Sequence, residues 1–275
     1  MSQKIKSPLR YPGGKSKALN KILPHLTSID FDEYREPFVG GGSVFIALKQ
    51  LRPNAKYWIN DLNSDLICFW NQVKKNVDEF VAEVTRIKNT HQDGKLLFNE
   101  MMSLPYLNQE FCKDEFYKAV RFYVLNRITY SGTVDSGGYS SEAFKKRFTI
   151  SNISKLKNLS LLLKDVKITN DSYESVLAKE GKNVLLFMDP PYWKTRKEGL
   201  YGKKGALHKS FDHEKFSERV RECKHKWLIT YDDSELIHNL FGFARIESWE
   251  MHYGMTNVNG KKTVKGKELF LTNIV

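Results

Sequence analysis

The sequence predicts an α/β fold in which a mainly parallel sheet carries a helical insertion. Three observations predict this fold. Apolar runs of strand length alternate with amphipathic helical patterns in the first third of the chain. Val184–Met188 is an unbroken apolar run, as expected for a strand buried on both faces. Residues 73–165 instead carry helical patterns rich in Lys, Phe and Tyr. We therefore expect one sheet domain formed by residues 1–72 and 166–275, interrupted by an insertion at residues 73–165.

The first third of the chain reads as a βαβ unit that follows a basic N-terminal arm. In chain order the pattern predicts a helix at about 15–25, a strand at about 34–36, a helix at about 43–51 and a strand at 56–60. The turn Gly40-Gly41-Gly42 separates the first strand from the second helix, and Asp61 ends the second strand. Because carboxyl ends of parallel strands share one edge of a sheet, we expect these two features to lie close together.

The strand pattern resumes after the insertion. It predicts strands at 166–170, 184–188 and 227–231, a helix near 213–224 and a lysine-rich loop at 194–209. The sheet is therefore expected to close with residues from both ends of the chain.

The chain is strongly basic. It has 44 Lys and Arg residues against 32 Asp and Glu residues, which gives a formal net charge of +12 and a pI near 9.4. A polyanion is the expected partner of such a protein. The 13% of aromatic residues among clustered basic ones favours a nucleic acid over a plain solvated surface.

Several other classes of protein are disfavoured. Apolar runs such as Leu66–Trp70 are five residues long, whereas a membrane-spanning helix needs about 20. Residues 1–6 lack the apolar core of a signal peptide, so a cytoplasmic protein is expected. Three widely spaced cysteines without a Cys-x-x-Cys pair predict neither a disulfide framework nor a metal site.

A glycine-rich turn and a following acid predict an adenosine-binding site. Residues 36–43 read Glu-Pro-Phe-Val-Gly-Gly-Gly-Ser between a strand and a helix, where a turn without side chains lets a ligand approach the helix N-terminus. Asp61 lies 19 residues after Gly42, at the place of a carboxylate that accepts hydrogen bonds from ribose hydroxyls. NAD is the first alternative, but the Gly-x-Gly-x-x-Gly spacing is absent and Glu36 would repel a pyrophosphate. A cationic sulfonium cofactor tolerates that acid.

The turn Pro12-Gly13-Gly14-Lys15-Ser16 ends like a phosphate-binding Walker loop. The full motif needs a glycine where Leu9 stands, and no buried strand precedes the turn, so ATP hydrolysis is disfavoured. Within an adenosine-binding site, Tyr11 and Lys15 are expected to close over the cofactor, with Lys15 reaching a carboxylate.

Asp189-Pro190-Pro191-Tyr192 directly follows the apolar strand and is the most informative motif of the chain. It places a carboxylate, a stiffened backbone carbonyl and an aromatic face at the carboxyl edge of the sheet. An exocyclic amine of a nucleobase is a poor nucleophile because its lone pair is delocalised into the ring. The Asp189 carboxylate and the Pro190 carbonyl can accept its two hydrogens and favour a pyramidal nitrogen, while Tyr192 holds the base by its face. The alternative is a strand-to-turn junction with a packing tyrosine.

Five motifs occur in one order along the chain. They are Arg10-Tyr11-Pro12-Gly13-Gly14-Lys15, Glu36-Pro37-Phe38-Val39-Gly40-Gly41-Gly42-Ser43-Val44-Phe45, Asn60-Asp61-Leu62-Asn63, Leu125-Asn126-Arg127 and Asp189-Pro190-Pro191-Tyr192. In that order they resemble the Dam-like, alpha-group DNA adenine-N6 methyltransferases over nearly the whole chain. The resemblance implies a Rossmann-like, S-adenosylmethionine-dependent catalytic domain, with a mainly helical target-recognition domain inserted at residues 73–165.

The resemblance also implies roles for particular residues. Those that would hold the cofactor are Tyr11, Lys15, Glu36, Phe38, Gly40, Gly42, Asp61, Asp171 and Asp189. Those that would form the catalytic motif are Asp189, Pro190, Pro191 and Tyr192.

The recognition region departs from the GATC-specific members of that family. Those members carry Gly-x-Phe-Asn-Val-Pro after Leu-Asn-Arg, where residues 131–140 of this chain read Ser-Gly-Thr-Val-Asp-Ser-Gly-Gly-Tyr-Ser. Glycines and short polar side chains at about 127–147 predict a β-hairpin that reads the major groove, with basic residues on the phosphates. The predicted DNA-binding residues are Arg127, Tyr130, Asp135, Tyr139, Lys145, Lys146, Arg147, Lys197, Lys203 and Lys261.

Together these features predict an enzyme that methylates N6 of an adenine flipped out of double-stranded DNA. Cytosine-N4 methylation, which needs the same acceptors, and a catalytically silent DNA-binding regulator are the alternatives. Cytosine-C5 methylation is disfavoured because it needs a thiolate, usually in a Pro-Cys pair, and no proline here precedes a cysteine. A cognate restriction endonuclease is compatible with this role. The recognition sequence and the oligomeric state do not follow from the sequence.

Overall fold

Seven strands form one mixed sheet in the described part of the chain. The structure, a computed structural model, describes residues 4–107, 113–193, 211–252 and 265–274. The strands are β1 Glu33–Glu36, β2 Lys56–Asn60, β3 Lys167–Thr169, β4 Val184–Met188, β5 Lys226–Asp232, β6 Arg245–His252 and β7 Lys265–Thr272. Their order in the sheet is β3-β2-β1-β4-β5-β7-β6. The strands β1 to β5 are parallel, and β7 lies antiparallel between β5 and β6.

The order of the strands determines where a ligand can bind. The chain continues outward from β1 to β2 and β3 on one side, and from β4 to β5 on the other. In open α/β sheets such a reversal leaves a crevice at the carboxyl ends of the two central strands. Here β1 ends at Glu36, and β4 ends just before Asp189. The crevice therefore opens between these two acids.

Helices surround the sheet and form the insertion. They are α1 Leu19–Ser28, α2 Ser43–Leu51, α3 Ser64–Lys75, α4 Val77–Thr90, α5 Gly94–Leu107, α6 Glu115–Ile128, α7 Ser141–Lys146, α8 Ile150–Ser154, α9 Leu156–Leu163, α10 Tyr173–Ala178, α11 His213–Glu222 and α12 Glu235–Leu240. None of these helices has both the length and the apolar character that crossing a membrane requires.

The central strand β4 contributes to a hydrophobic core on each face of the sheet. All five of its residues are buried. Leu185 and Phe187 belong to one buried cluster, and Leu186 and Met188 belong to the other. This alternation follows from the two-residue repeat of a strand, and it explains why the sequence shows an unbroken apolar run here.

The insertion continues a helix that leaves the sheet. Helix α3 packs against α6 and α9, and the ring of Phe69 on α3 stacks on Tyr123 of α6 with centroids 5.5 Å apart. Residue 73 lies inside α3. The insertion and the sheet thus share one continuous core, and the division into two domains at residue 73 stays a prediction.

The structure confirms the expected Rossmann-like α/β sheet. Strands β2 and β4 and helix α2 have their predicted bounds, and β1, β3 and β5 differ by at most one residue at either end. The helix predicted at about 15–25 is instead a 3-10 turn, Lys15–Lys17, followed by α1. The sequence pattern does not predict β6 and β7, because charged residues interrupt both strands.

The β-hairpin predicted within residues 127–147 is wrong. The segment forms 3-10 turns at 130–132 and 134–136, followed by α7, and a single antiparallel bridge closes it. Ser131 and Val134 have positive φ values of 52° and 49°. Extended strands exclude such backbone angles, so the segment turns tightly where the glycines and polar residues predicted a ribbon.

Arg35 connects the sheet to a helix on one face. It lies on β1 and is only 1% exposed. Its guanidinium donates to the carbonyl oxygens of Val176 at 3.0 Å, of Lys179, and of Glu180 at 3.0 Å. Its Nε atom lies 2.6 Å from the Glu33 carboxylate. The buried guanidinium thus pairs with Glu33 and binds the carbonyl oxygens at the end of α10.

We expect Arg35→Met to lower the free energy of unfolding by about 3–5 kcal/mol, because the carbonyls of α10 and the Glu33 carboxylate lose their donor. Urea denaturation measures this change. The control is Arg52→Met: Arg52 is partly exposed and lies 3.9 Å from Asp30, so its loss should cost less than about 1 kcal/mol. Equal losses in the two variants would contradict the role of Arg35.

Candidate functional site

Three acids and a lysine meet at the carboxyl edge of the sheet. Glu36 ends β1, Asp61 follows β2 and Asp189 follows β4. Glu36 is 3% exposed, and Lys15 from the N-terminal arm is 4% exposed. The Lys15 Nζ atom lies 2.7 Å from Asp189 Oδ1. The structure therefore brings together residues from the N-terminal arm, the glycine turn and the Asp-Pro-Pro-Tyr motif.

The glycine turn after β1 is shaped by its neighbours. The Gly40 N–H donates to Asp61 Oδ2 at 2.9 Å, and Asp61 Oδ1 accepts from the Asn63 N–H at 3.0 Å. The φ values of Gly40 and Gly42 are +45° and +66°, which side chains rarely adopt. A Cβ atom on Gly40 would lie 2.8 Å from the ring of Tyr11. Only glycine lets the turn pass this close to the N-terminal arm.

Asn60 joins the ends of three parallel strands and has no exposed surface. Its Nδ2 atom donates to the carbonyls of Pro37 at 3.1 Å and Asp171 at 2.9 Å. Its Oδ1 atom accepts from the Asp171 N–H at 2.8 Å and from the Thr169 hydroxyl at 2.7 Å. All four hydrogen-bonding positions of the amide are used. Sequence reasoning assigns Asn60 no role of its own, although a polar residue ending a buried strand was a signal.

Asp189 is fixed through one of its two oxygens. Its Oδ1 atom pairs with Lys15 and accepts from the Thr230 hydroxyl at 2.7 Å. Thr230 lies on β5 and is completely buried. Lys15 also donates to the Gly13 carbonyl at 3.1 Å. Among the described residues both of these side-chain contacts are to Oδ1, which leaves Oδ2 as an acceptor.

Burial makes two acids of the site, Glu36 and Asp61, hard to ionise. Desolvation raises the pKa of Glu36 to about 8, and the charges of Asp189 and Asp61 add to this, although a hydrogen bond from the Tyr34 hydroxyl at 2.6 Å opposes it. Desolvation also raises the pKa of Asp61 to about 6 despite its backbone hydrogen bonds. Acids outnumber bases here, so the site suits a positively charged ligand. The described ranges contain no cluster of His, Cys, Asp or Glu arranged to hold a metal ion.

Tyr192 is held at its ring and at its hydroxyl. The hydroxyl donates to Glu268 Oε2 at 3.0 Å, and the ring stacks on Tyr231 with centroids 5.7 Å apart. The Lys15 Nζ atom lies 4.6 Å from the centre of the Tyr192 ring. Pro190 is buried, and Pro191 is partly exposed like Tyr192. The Lys15 ammonium thus contacts both ends of the motif that starts at Asp189.

Phe38 belongs to an aromatic cluster beside the glycine turn. Its ring centroid lies 5.5 Å from that of Tyr173 and 5.8 Å from those of Phe211 and Phe216. Asp171 lies two residues before Tyr173 in the sequence and is exposed. Sequence reasoning did not find Tyr173, Phe211 or Phe216, because they are distant in sequence from the glycine turn.

Two residues predicted to contact DNA are instead bound within the protein. Arg127 is 6% exposed and donates to the carbonyls of Pro8 at 2.7 Å and Arg147 at 2.9 Å. Its predicted DNA contact is wrong, because its guanidinium is buried against backbone oxygens. The Asp135 carboxylate forms an ion pair with Arg121. The predicted readout of a cytosine amine by Asp135 stays a prediction, and it would have to use the carboxylate oxygen that does not pair with Arg121.

The other predicted DNA-binding residues differ in exposure. Tyr130 is 64% exposed, whereas Tyr139 is partly buried, with its ring centroid 6.3 Å from that of Phe98. The exposed basic residues are Lys145, Lys146 and Arg147. The predicted contacts that lie outside the described residues are Lys197, Lys203 and Lys261.

Helix α6 holds the N-terminal arm that carries Tyr11 and Lys15. The buried Asn126 side chain accepts from the Arg10 N–H at 3.0 Å, and it donates to the carbonyls of Arg10 at 2.7 Å and Gly132 at 3.0 Å. A Cβ atom on Gly132 would lie 2.0 Å from the Arg10 carbonyl oxygen. The Leu-Asn-Arg motif therefore joins the turn that contains Gly132 to the arm.

Sequence comparisons identify the family. Residues 11–255 match the family described as D12 class N6 adenine-specific DNA methyltransferase. The chain is 31% identical to the Type II methyltransferase M.MjaIII of Methanocaldococcus jannaschii, over 68% of this chain and 69% of that protein. It is 31% identical to the DNA adenine methylase of Salmonella typhi, over 69% of this chain and 66% of that protein. It is 25% identical to the Type II methyltransferase M1.LlaDCHI of Lactococcus lactis subsp. cremoris, over 96% of this chain and 94% of that protein. This chain belongs to the D12 class of N6 adenine-specific DNA methyltransferases.

Proposed function

We propose that this chain transfers a methyl group from S-adenosylmethionine to N6 of an adenine flipped out of double-stranded DNA. The observation that carries the proposal is the set of acids at the site, where Glu36 and Asp189 flank the crevice and Lys15 pairs with Asp189. A sulfonium has a fixed positive charge, which this field stabilises. A dinucleotide or ATP would bring phosphates into the same field. Membership of the family makes adenine in DNA the methyl acceptor.

The residues of the crevice fit the parts of this cofactor. Asp61 is oriented by backbone hydrogen bonds to both oxygens, and each oxygen keeps a lone pair for a ribose hydroxyl. Lys15 binds the carboxylate of the methionine moiety, and Glu36 faces its positive charge. The cluster around Phe38 offers an apolar wall for the adenine ring. When bound, the cofactor supplies an electrophilic methyl group.

Asp189 activates the target amine. Lys15 and Thr230 hold Oδ1, so Oδ2 accepts one N–H of the adenine amine while the Pro190 carbonyl accepts the other. The nitrogen lone pair would then be localised on N6 and directed at the electrophilic methyl group that the bound cofactor would supply. N6 loses one proton after the transfer, and Asp189 is the acceptor. Tyr192 holds the base by its face.

The target adenine must leave the duplex before its amine can reach Asp189. Inside B-DNA the amine is paired and stacked, and extruding the base costs about a few kcal/mol. Contacts to the phosphates can offset this cost, and the net charge of +12 favours them. Lys145 and Lys146 on α7 are exposed and lie next to the recognition segment, where they are placed to bind phosphates.

We expect Asp189→Ala to lower the rate of methyl transfer about a hundredfold or more, because a preorganised acceptor for the amine is lost. Incorporation of radiolabelled methyl groups into unmethylated genomic DNA measures the rate. Asp78→Ala removes an exposed carboxylate that pairs with Lys157, and this control should keep wild-type turnover. Near-normal turnover by the Asp189 variant would refute the catalytic role.

Asp61→Ala and Lys15→Met should each weaken binding of S-adenosylmethionine by roughly 1.5–3 kcal/mol, because each loses a charge-assisted hydrogen bond to the cofactor. Titration calorimetry measures the affinity. Lys17→Met is the matched control, since Lys17 lies on the same turn but is exposed. Unchanged affinity in both test variants would rule out the proposed pocket.

Binding of S-adenosylmethionine at pH 7 should release protons from Glu36. The pKa of this carboxyl is about 8 in the free protein, so the protonated form predominates. A cation bound beside it favours the ionised form and lowers that pKa, which expels the proton. Calorimetry in two buffers of different ionisation enthalpy counts the protons. S-adenosylhomocysteine, which lacks the charge, should release fewer, and Glu36→Gln should abolish the difference. The same proton count in wild type and Glu36→Gln would contradict this coupling.

A further inference from the structure

Two buried carboxylates face each other across β5 and β7. Asp232 and Glu268 are register partners of this antiparallel pair, so their side chains lie on the same face of the sheet. Asp232 is 5% exposed and Glu268 has no exposed surface. Burying a carboxylate is costly, and like charges directly opposite in a sheet destabilise it. The pair lies where the residues that follow β4 contact the sheet.

Each carboxylate binds one of the two residues that follow Asp189-Pro190-Pro191. Glu268 Oε2 accepts from the Tyr192 hydroxyl at 3.0 Å. Asp232 Oδ1 accepts from the Trp193 backbone N–H at 2.9 Å. The paired acids thus fix the motif at two successive positions, one at a side chain and one at the backbone.

The hydroxyl contact determines where the Tyr192 ring lies. The rings of Pro190 and Pro191 fix the backbone angle φ of these two residues. The side-chain torsions of Tyr192, which follows them, are not fixed in this way. Stacking on Tyr231 at 5.7 Å limits the ring in one direction, and the bond to Glu268 anchors its far end. The ring is then held 4.6 Å from the Lys15 ammonium.

We propose that Glu268 is a positioning residue that holds the Tyr192 ring where the extruded base stacks, with Asp232 fixing the backbone beside it. This inference rests on the proposed function. Glu268 acts through Tyr192 and does not itself touch the base. It lies on β7, 76 residues from Tyr192 in the sequence, and neither the Asp-Pro-Pro-Tyr motif nor the glycine turn includes it.

A role in stability alone gives a different expectation. Loss of a structural carboxylate would lower the melting temperature and would act independently of the Tyr192 hydroxyl. Loss of a positioning contact would lower turnover, would leave cofactor affinity intact, and would have no further effect once the hydroxyl is gone. A double-mutant cycle between the two residues separates these accounts.

The experiment compares Glu268→Leu, Glu268→Gln, Tyr192→Phe and the Glu268→Leu/Tyr192→Phe double variant. Methyl incorporation into unmethylated genomic DNA at saturating cofactor gives turnover, and calorimetry gives cofactor affinity. We expect Glu268→Leu and Tyr192→Phe each to lose about tenfold or more in turnover, as for one hydrogen bond to a charged group. The double variant should lose no more than either single one, and Glu268→Gln, which keeps an acceptor oxygen, should lose less than Glu268→Leu.

Three results would overturn the proposal. The first is a double variant in which the losses of the two single variants multiply. The second is a Glu268→Gln variant that is as slow as Glu268→Leu. The third is wild-type turnover by Tyr192→Phe, a variant that keeps Glu268 and so does not depend on how the protein folds without it. The control Glu247→Leu changes an exposed glutamate on the neighbouring strand β6 and should leave turnover unchanged. If the wild-type protein transfers no methyl groups, the proposed function itself fails. If it does and the cycle shows no coupling, only this inference fails.

Discussion

The fold brings several acidic groups to one place, and this constraint governs the site. Glu36 ends β1 and Asp189 follows β4, so the crevice at the reversal of strand order has an acid on each side. A buried carboxyl such as that of Glu36 cannot be ionised cheaply. The chain answers in two ways: Glu36 keeps its proton through its raised pKa, and Lys15 from the N-terminal arm pairs with Asp189. A ligand that brings its own positive charge completes this balance.

Backbone and side-chain amides fix the positions of Asp61 and of the strand ends beside it. Asn60 satisfies all its hydrogen-bonding positions with the ends of neighbouring strands and loops, and the Gly40 amide binds Asp61. All of these bonds are formed between groups of the protein itself. A site whose acceptors are already oriented need not reorganise during the reaction, which is the usual source of electrostatic rate enhancement. The glycines serve the same end, because their left-handed backbone lets the turn lie against Tyr11.

Local patterns predicted the features that are local in the chain. The apolar run of β4, the glycine turn and the acid that ends β2 each depend on a few consecutive residues, and each lies where the sequence indicated. What the sequence does not show is which charges become buried. Arg127 looks like a DNA-binding residue until its partner Pro8, 119 positions away, is known. Nothing in the local sequence marks Glu268 as buried, because its burial follows from the position of β7 between β5 and β6. The β-hairpin prediction for residues 127–147 was wrong for a related reason. Gly132 packs against the carbonyl of Arg10, a residue that is distant in the sequence.

Helix α6 binds the backbone of the N-terminal arm, and this contact limits which segments could replace residues 73–165. Asn126 and Arg127 bind the backbone atoms of Pro8 and Arg10, not their side chains. Backbone hydrogen bonds do not depend on the identity of the residue that provides them, so the arm can vary in sequence while its path stays fixed. A chimaera that takes residues 73–165 from a relative would therefore dock correctly when it keeps this asparagine and arginine and a glycine at position 132. Such an exchange would test whether residues 73–165 carry target preference, without rebuilding the arm that carries Tyr11 and Lys15.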